Sequence, residues 1–343
     1  MEFFGNIRIK WAYVTHRVDR SAARGLRPMT GEPDVGAIVL GKVGTIGRHK
    51  EIEGVHGRKV TLFPGDVIAG VLGYRYATDQ YEGRPIASGP TGHLVSIGGV
   101  CGEVVSKNEK MVDPTVLEWI GRLSGADGEP LRLGRFALPP APAHVGPRPR
   151  TILVVGAAMN AGKTTTAAQV IRNLSGQGHR VSAAKITGTA CRKDPLIMKD
   201  AGAFRVLDFT DCGHPSTAEL SLEELLSIAS RLRAALLEDR PEFLVYEIAD
   251  GIFQRETRIL LEDPGFRDAI DVVFFAGPDS PSCESGVRRL REWGYHVAAV
   301  AGMVANSRLG MAETEAVVGL PCLNGEMILN GSIPLLLQPA SAA

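Results

Sequence analysis

The run Val154-Val155-Gly156-Ala157-Ala158-Met159-Asn160-Ala161-Gly162-Lys163-Thr164-Thr165-Thr166 brings together what binding of a polyphosphate requires. Small residues let successive backbone amides converge on phosphate oxygens, and a helix opening near Gly162 adds the favourable end of its dipole. In such a phosphate-binding loop (P-loop), Lys163 reaches the β- and γ-phosphates and Thr164 offers its hydroxyl to Mg²⁺. The nucleotide-binding set expected here is Gly156, Ala157, Ala158, Met159, Asn160, Ala161, Gly162, Lys163, Thr164 and Thr165. One position departs from the usual motif: its first glycine is Ala157, with Gly156 one place earlier.

Three other segments place a polar residue where an open parallel sheet meets its ligand. In Ala184-Lys185-Ile186-Thr187-Gly188-Thr189, Lys185 sits at the C-terminal end of an apolar strand, the ligand side of such sheets. In Leu244-Val245-Tyr246-Glu247-Ile248-Ala249-Asp250-Gly251, a carboxylate ends a strand so apolar that burying it without a partner is costly. In Val300-Ala301-Gly302-Met303-Val304-Ala305-Asn306-Ser307, the Asn306 amide can donate to and accept from a purine edge at once. The guanine-reading Asn-Lys-x-Asp tetrad is absent, because Ser307-Arg308-Leu309 follows, so adenine is favoured.

The elements that must hold these residues follow from hydrophobic patterning. Apolar runs at 151–155, 180–184, 243–248, 271–275 and 296–300 alternate with helical patterns at 162–175, 221–237 and 284–293. Strands apolar on both faces and separated by helices imply a parallel sheet. The proline-rich stretch 138–150 can continue neither a helix nor a central strand and reads as a linker. Before it, β-branched runs at 37–40, 59–63, 66–72 and 93–97 recur between glycines. Pro64-Gly65 predicts a hairpin turn, so a small barrel or sandwich is expected, with a helix only over Thr115–Leu123. The expected organisation is a β-rich domain over 1–137, a linker over 138–150 and an α/β P-loop NTPase domain over 151–343.

Two further segments carry alternatives. Tyr74 to Arg84 is polar and aromatic enough to contact a ligand, or stands as a solvated loop. Asp208 to Thr217 is either a substrate loop or a solvated loop in which Ser216 or Thr217 caps the next helix. Cys212-Gly213-His214 offers two metal ligands, too few for a centre.

Composition narrows the function classes. Lys plus Arg and Asp plus Glu are balanced at 38 each, so no global field recruits nucleic acid or an anionic membrane. No stretch of about 18 apolar residues occurs, and the five scattered cysteines suit reduced thiols; the expectation is a cytoplasmic protein.

The spacing Gly156-x5-Gly162-Lys163-Thr164 resembles the loop of the dethiobiotin synthetase-like (SIMIBI) branch of P-loop NTPases, and the three softer segments follow in that family's order. The resemblance covers roughly Thr151 to Ile328 and leaves the first 150 residues unexplained. It implies that Lys185 approaches the reacting phosphate and a substrate carboxylate, that Glu247 and Thr164 hold Mg²⁺, and that Asn306 reads adenine. It also implies a second acid near the metal at Asp200, with Asp194 competing. Gly319 to Glu326 resembles the same family's nucleotide-side loop. An accessory domain ahead of a P-loop domain is loosely similar to the D-glutamate N-acetyltransferase-like P-loop family.

What the resemblance implies is ATP- and Mg²⁺-dependent phosphoryl transfer to a small carboxylate or amino acid, with Lys163 and Lys185 as the catalytic lysines. A homodimer is compatible with it. The alternative is a GTP- or ATP-dependent switch or an accessory NTPase of cofactor biosynthesis. A ParA/MinD-like dimeric ATPase is disfavoured, since Ala158 stands where that group carries its signature lysine.

Overall fold

The computed structural model describes residues 2–4, 7–30, 32–141, 148–331 and 333. Positions 142–147, in the proline-rich stretch, lie outside the described residues. The chain forms two compact units. The first comprises Met1–Pro139, Gly188–Lys193 and Phe209–Glu219, and the second comprises Pro140–Thr187, Asp194–Asp208 and Leu220–Ala343. The division is therefore not a single cut in the sequence.

The strands of the first unit are β1 (Glu2–Phe4), β2 (Ile7–Trp11), β3 (Gly25–Arg27), β4 (Ile38–Val43), β5 (Glu51–Glu53), β6 (Lys59–Thr61), β7 (Val67–Leu72), β8 (Arg75–Tyr76), β9 (Tyr81–Arg84), β10 (Thr91–Leu94), β11 (Val100–Lys107) and β12 (Thr115–Ser124). Ten of them join one sheet, and the pairings β7–β4, β4–β12, β12–β10, β10–β11 and β11–β7 close a ring. Closure removes the exposed edges of those strands. Ile38, Leu40, Ile68, Val71, Leu94, Val100 and Leu117 fill the apolar interior.

Two expectations fail here for identifiable reasons. Thr115–Ser124 is a strand, not a helix: Thr115, Leu117, Gly121 and Leu123 are buried at even spacing, the period of a strand, and β12 is paired with β3, β4 and β10. Pro64-Gly65 does make a turn, with the Phe63 amide donating to Asp66 Oδ2 at 2.6 Å. The strands flanking it nevertheless do not pair, for β6 pairs with β5 while β7 joins the larger sheet.

Buried carboxylates fix the two late segments within the first unit. Glu53 accepts the amides of Arg192 at 2.6 Å and Lys193 at 3.1 Å. Asp211 meets His16 Nε2 at 3.1 Å and accepts from Arg17 at 3.4 Å. Phe209 to Cys212 is a buried 3-10 turn rather than a solvated loop. Neither Ser216 nor Thr217 caps the following helix: Thr217 Oγ1 accepts from the Gly188 amide at 2.9 Å.

The second unit carries a six-stranded parallel sheet of β13 (Arg150–Gly156), β14 (Val181–Lys185), β15 (Val206–Asp208), β16 (Phe243–Glu247), β17 (Val272–Ala276) and β18 (Val297–Ala301), in the order β15-β14-β16-β13-β17-β18. The helices are α1 (Lys163–Gly176), α2 (Lys193–Asp200), α3 (Leu222–Leu237), α4 (Arg255–Glu262), α5 (Pro264–Asp268), α6 (Ser280–Glu292), α7 (Arg308–Val318) and α8 (Gly325–Asn330). This is the α/β class read from the sequence. Ser221 caps α3 through a capping box with Glu224, and Asp279 caps α6 four residues earlier than expected, with Pro281 tolerated in its first turn. Among the described residues no helix is long and apolar enough to cross a membrane.

Candidate nucleotide-binding site

The loop between β13 and α1 has the backbone its residues dictate. Gly162 adopts φ 100°, and its missing side chain admits Gly302, whose Cα would lie 2.8 Å from a Cβ there. A Cβ at Gly156 would meet the Ala276 carbonyl oxygen at 2.4 Å and the Lys163 side chain at 3.0 Å. That explains why the glycine stands at 156, while Ala157 uses its amide to bond the Ala276 carbonyl at 3.0 Å. Met303 donates to the Ala161 carbonyl at 3.1 Å, and Ile252 to that of Gly156 at 3.1 Å, so the loops after β18 and β16 both brace it.

Lys163 opens α1 with 6% of its surface exposed, and its ammonium folds back to donate to the Ala158 carbonyl at 2.7 Å. Burial pulls its pKa below the usual lysine value, an effect opposed by the charges of Glu247 and Asp250. A nearly buried cation beside this loop suits the oxygens of a polyphosphate.

Glu247 ends β16, the strand adjacent to the P-loop strand, with Val154 and Lys185 as its register partners on either side. It is 2% exposed. Its Oε1 accepts from the Thr164 hydroxyl at 2.7 Å, while Oε2 is buried with no hydrogen-bond partner. Burial pushes its carboxyl above the ordinary value, the Lys185 charge opposes this, and Asp194 adds to it. An orphaned carboxylate oxygen beside a threonine hydroxyl is a donor set that fits a hard divalent cation, whose remaining ligands would be phosphate oxygens and water. Thr164 and Glu247 are the residues that would hold Mg²⁺.

Lys185 is paired with Asp194. Asp194 lies in the first turn of α2, whereas Asp200 is exposed at the helix's last residue, about 9 Å further along the axis. The acid brought to the strand ends is thus Asp194, and Asp200 takes no part in the cluster. Asp194-Pro195 is the signal that marks it, because proline is tolerated in a helix's first turn and places the residue before it at the helix start.

Asp250 takes a left-handed φ of 61°, and a Cβ at Gly251 would lie 2.1 Å from the Ala157 carbonyl oxygen. The segment that follows β16 therefore lies directly on the P-loop. Asn306 is exposed at the end of the 3-10 turn Met303–Asn306, joined through Met303 to the loop. Gly319 to Glu326 runs along β18, where Leu323 donates to the Val300 carbonyl at 2.8 Å, and Asn324 caps α8. Among the described residues no three His, Cys, Asp or Glu side chains are grouped to hold a metal by themselves, and Cys212 and His214 make no centre of that kind.

No family model matches the chain, and no curated protein does. Solved structures similar to it include the signal recognition particle 54 kDa protein of Aeropyrum pernix K1 in complex with GDP, at 21% identity and a TM-score of 0.39. That likeness covers 54% of this chain and 44% of the other. The signal recognition particle receptor FtsY of Elizabethkingia anophelis is similar in complex with GDP, at 14% identity and a TM-score of 0.36 over 56% of this chain and 63% of that one. A second structure of that receptor gives 12% identity and a TM-score of 0.37 over 56% and 67%. No dethiobiotin synthetase stands among these three. The motif, its helix and its sheet carry the conclusion without them: the second unit is an α/β domain in which a P-loop motif joins the strand β13 to the helix α1.

Proposed function

We propose that the second unit binds a nucleoside triphosphate with Mg²⁺ and hydrolyses it, and that Ile248 to Gln254 responds to the γ-phosphate, so that the protein works as a nucleotide-dependent switch or accessory NTPase. The observation that carries the reading is the Thr164–Glu247 bond with its orphaned second oxygen, at the mouth of a loop that also holds Lys163. Support for the switch comes from Gly251 lying on the Ala157 carbonyl and from Phe253, two residues on, being 60% exposed. A phosphate that moved the loop would move that ring. The Lys163 ammonium and loop amides supply charge stabilisation for the transferred phosphoryl group, and the protein's work is positioning.

A second reading, phosphoryl transfer to a small carboxylate, is favoured by the Lys185–Asp194 pair at the strand ends, where an acceptor anion could exchange for Asp194. ATP as the nucleotide rests on Asn306. One experiment separates the readings: following triphosphate consumption with ATP and with GTP, alone and with pools of small carboxylates, while mapping proteolysis around Phe253. The switch predicts slow turnover that no pool stimulates and cleavage that depends on the γ-phosphate. A carboxylate that raises turnover and is recovered phosphorylated would replace it with the transferase.

A further inference from the structure

The first unit holds a cavity of about 720 Å³, a size that suits a small organic ligand. One wall of it is a three-stranded sheet face whose members follow from the register. Tyr76 on β8 stands opposite Glu82 on β9, and Glu82 stands opposite Ser106 on β11. Residues directly opposite one another share a face, as do residues two apart along a strand. Tyr74 and Arg84 therefore join that face, while Tyr81 and Gly83 alternate with its members and are buried on the other. Tyr74, Tyr76, Glu82, Arg84 and Ser106 all line the cavity.

The charges on the wall are already engaged. Glu82 accepts from Arg84 at 3.4 Å, Lys107 pairs with Asp113, Arg75 donates to Gln80 Oε1 at 2.7 Å, and Glu219 has a partner of its own. The neighbouring His49 adds no charge, its pKa pushed down to about 4 by burial and then by the Arg75 charge. An ionic ligand would have to break one of these contacts to find a counter-charge. The hydroxyls differ: among the described residues, those of Tyr74, Tyr76 and Ser106 have no hydrogen-bond partner.

We infer that this face binds a neutral pyranose sugar, the C–H side of its ring packed on Tyr74 and Tyr76 and its hydroxyls bonded to the Glu82–Arg84 pair and to Ser106. The face of a tyrosine ring is the negative pole of its quadrupole and receives polarised C–H groups. A carboxylate accepts from hydroxyls and a guanidinium donates to them, so the pair meets both halves of the hydrogen bonding that neighbouring hydroxyls require. The pair is half-exposed and worth little by itself, so turning it towards a sugar costs little. Ser106 lies two strand spacings from Tyr76, about 10 Å, a span that one pyranose with its hydroxyls bridges.

Ligand-observed NMR titration of the full-length protein with the methyl glycosides of glucose, galactose, mannose, xylose and N-acetylglucosamine, and with maltose and lactose, tests the assignment. Glucuronate, galacturonate, glucose 6-phosphate and adenosine are the comparisons. Saturable one-to-one binding of at least one neutral sugar is expected, at least tenfold tighter than any of the comparisons, with at least a fivefold loss in Tyr76→Ala and at least a threefold loss in Glu82→Gln. Tyr76→Phe keeps the ring and should retain more affinity than Tyr76→Ala. Circular dichroism checks the fold of the variants, whose altered side chains are exposed. The assignment is overturned if no neutral sugar saturates, if a charged sugar or adenosine binds as tightly, if folded Tyr76→Ala or Glu82→Gln keeps wild-type affinity, or if Tyr76→Phe is as weak as Tyr76→Ala.

Discussion

The Thr164 hydroxyl donates to Glu247 Oε1 at 2.7 Å, tying the first turn of the P-loop helix to the end of the neighbouring strand. Residues far apart in sequence become one donor set because parallel strands present their C-terminal ends together. Lys185, register partner of Glu247 on the next strand, adds a cation to the same row.

Gly251→Ala should cripple nucleotide binding. The added methyl would fall 2.1 Å from the Ala157 carbonyl oxygen, so either the loop after β16 or the P-loop must shift. Overpacking of this kind costs about 1–3 kcal/mol, and loss of loop geometry should raise the nucleotide Kd tenfold or more. Fluorescent-nucleotide titration beside a thermal melt checks both effects. A variant with wild-type Kd would show that this contact does not shape the loop.

Lys185→Met should lower turnover at saturating nucleotide by roughly a hundredfold while changing nucleotide Kd less than about fivefold, the pattern of a contact made in the transition state. Asp194→Asn removes the partner of Lys185 and leaves the lysine charge in place, so its turnover should fall less. Steady-state kinetics of the two variants separate these roles. Equal losses in kcat and in affinity for Lys185→Met would assign it to ground-state binding.

The site was legible where its chemistry is local in sequence. Gly156 to Thr164 is one continuous segment, and Glu247 stands out because a carboxylate ends an apolar strand. The choice between Asp194 and Asp200 was not legible without the start of α2, a short helix of weak apolar periodicity. In the first unit, the even spacing of Thr115, Leu117, Gly121 and Leu123 is the strand signal of β12, masked by Val116, Ile120 and helix-forming Glu118 between them. Attachment of Gly188–Lys193 and Phe209–Glu219 to that unit depends on Glu53 and Asp211, contacts across well over a hundred residues that no local pattern announces.

His49 makes the first unit sensitive to acid. Its folded pKa, about 4, lies below the 6.5 usual for histidine, so the neutral form is favoured on folding. Stability from this group is full above about pH 6.5 and is lost as pH falls towards 4, with an upper bound of about 3 kcal/mol. His49→Gln should flatten the fall in melting temperature over that window. An unchanged pH profile would place the acid sensitivity elsewhere.

Glu247→Gln should make nucleotide binding less dependent on Mg²⁺, because a neutral amide is a poorer ligand for a hard cation. It should also raise the stability of the nucleotide-free protein at neutral pH, since it removes a charge whose burial is costly and whose second oxygen has no partner. Chemical denaturation with and without Mg²⁺-nucleotide measures both. A destabilised free variant would mean that the carboxylate is needed to hold the fold.

Equilibrium titration of ATP and GTP into the full-length protein, with Mg²⁺ and with EDTA, in wild type and Lys163→Ala, asks whether the second unit binds a Mg²⁺-triphosphate through Lys163. Saturable triphosphate binding is expected, weakening at least tenfold without Mg²⁺ and at least a hundredfold in a Lys163→Ala variant that melts like wild type. A folded wild-type protein that bound neither triphosphate at millimolar concentration, or bound one equally well in the variant, would contradict it.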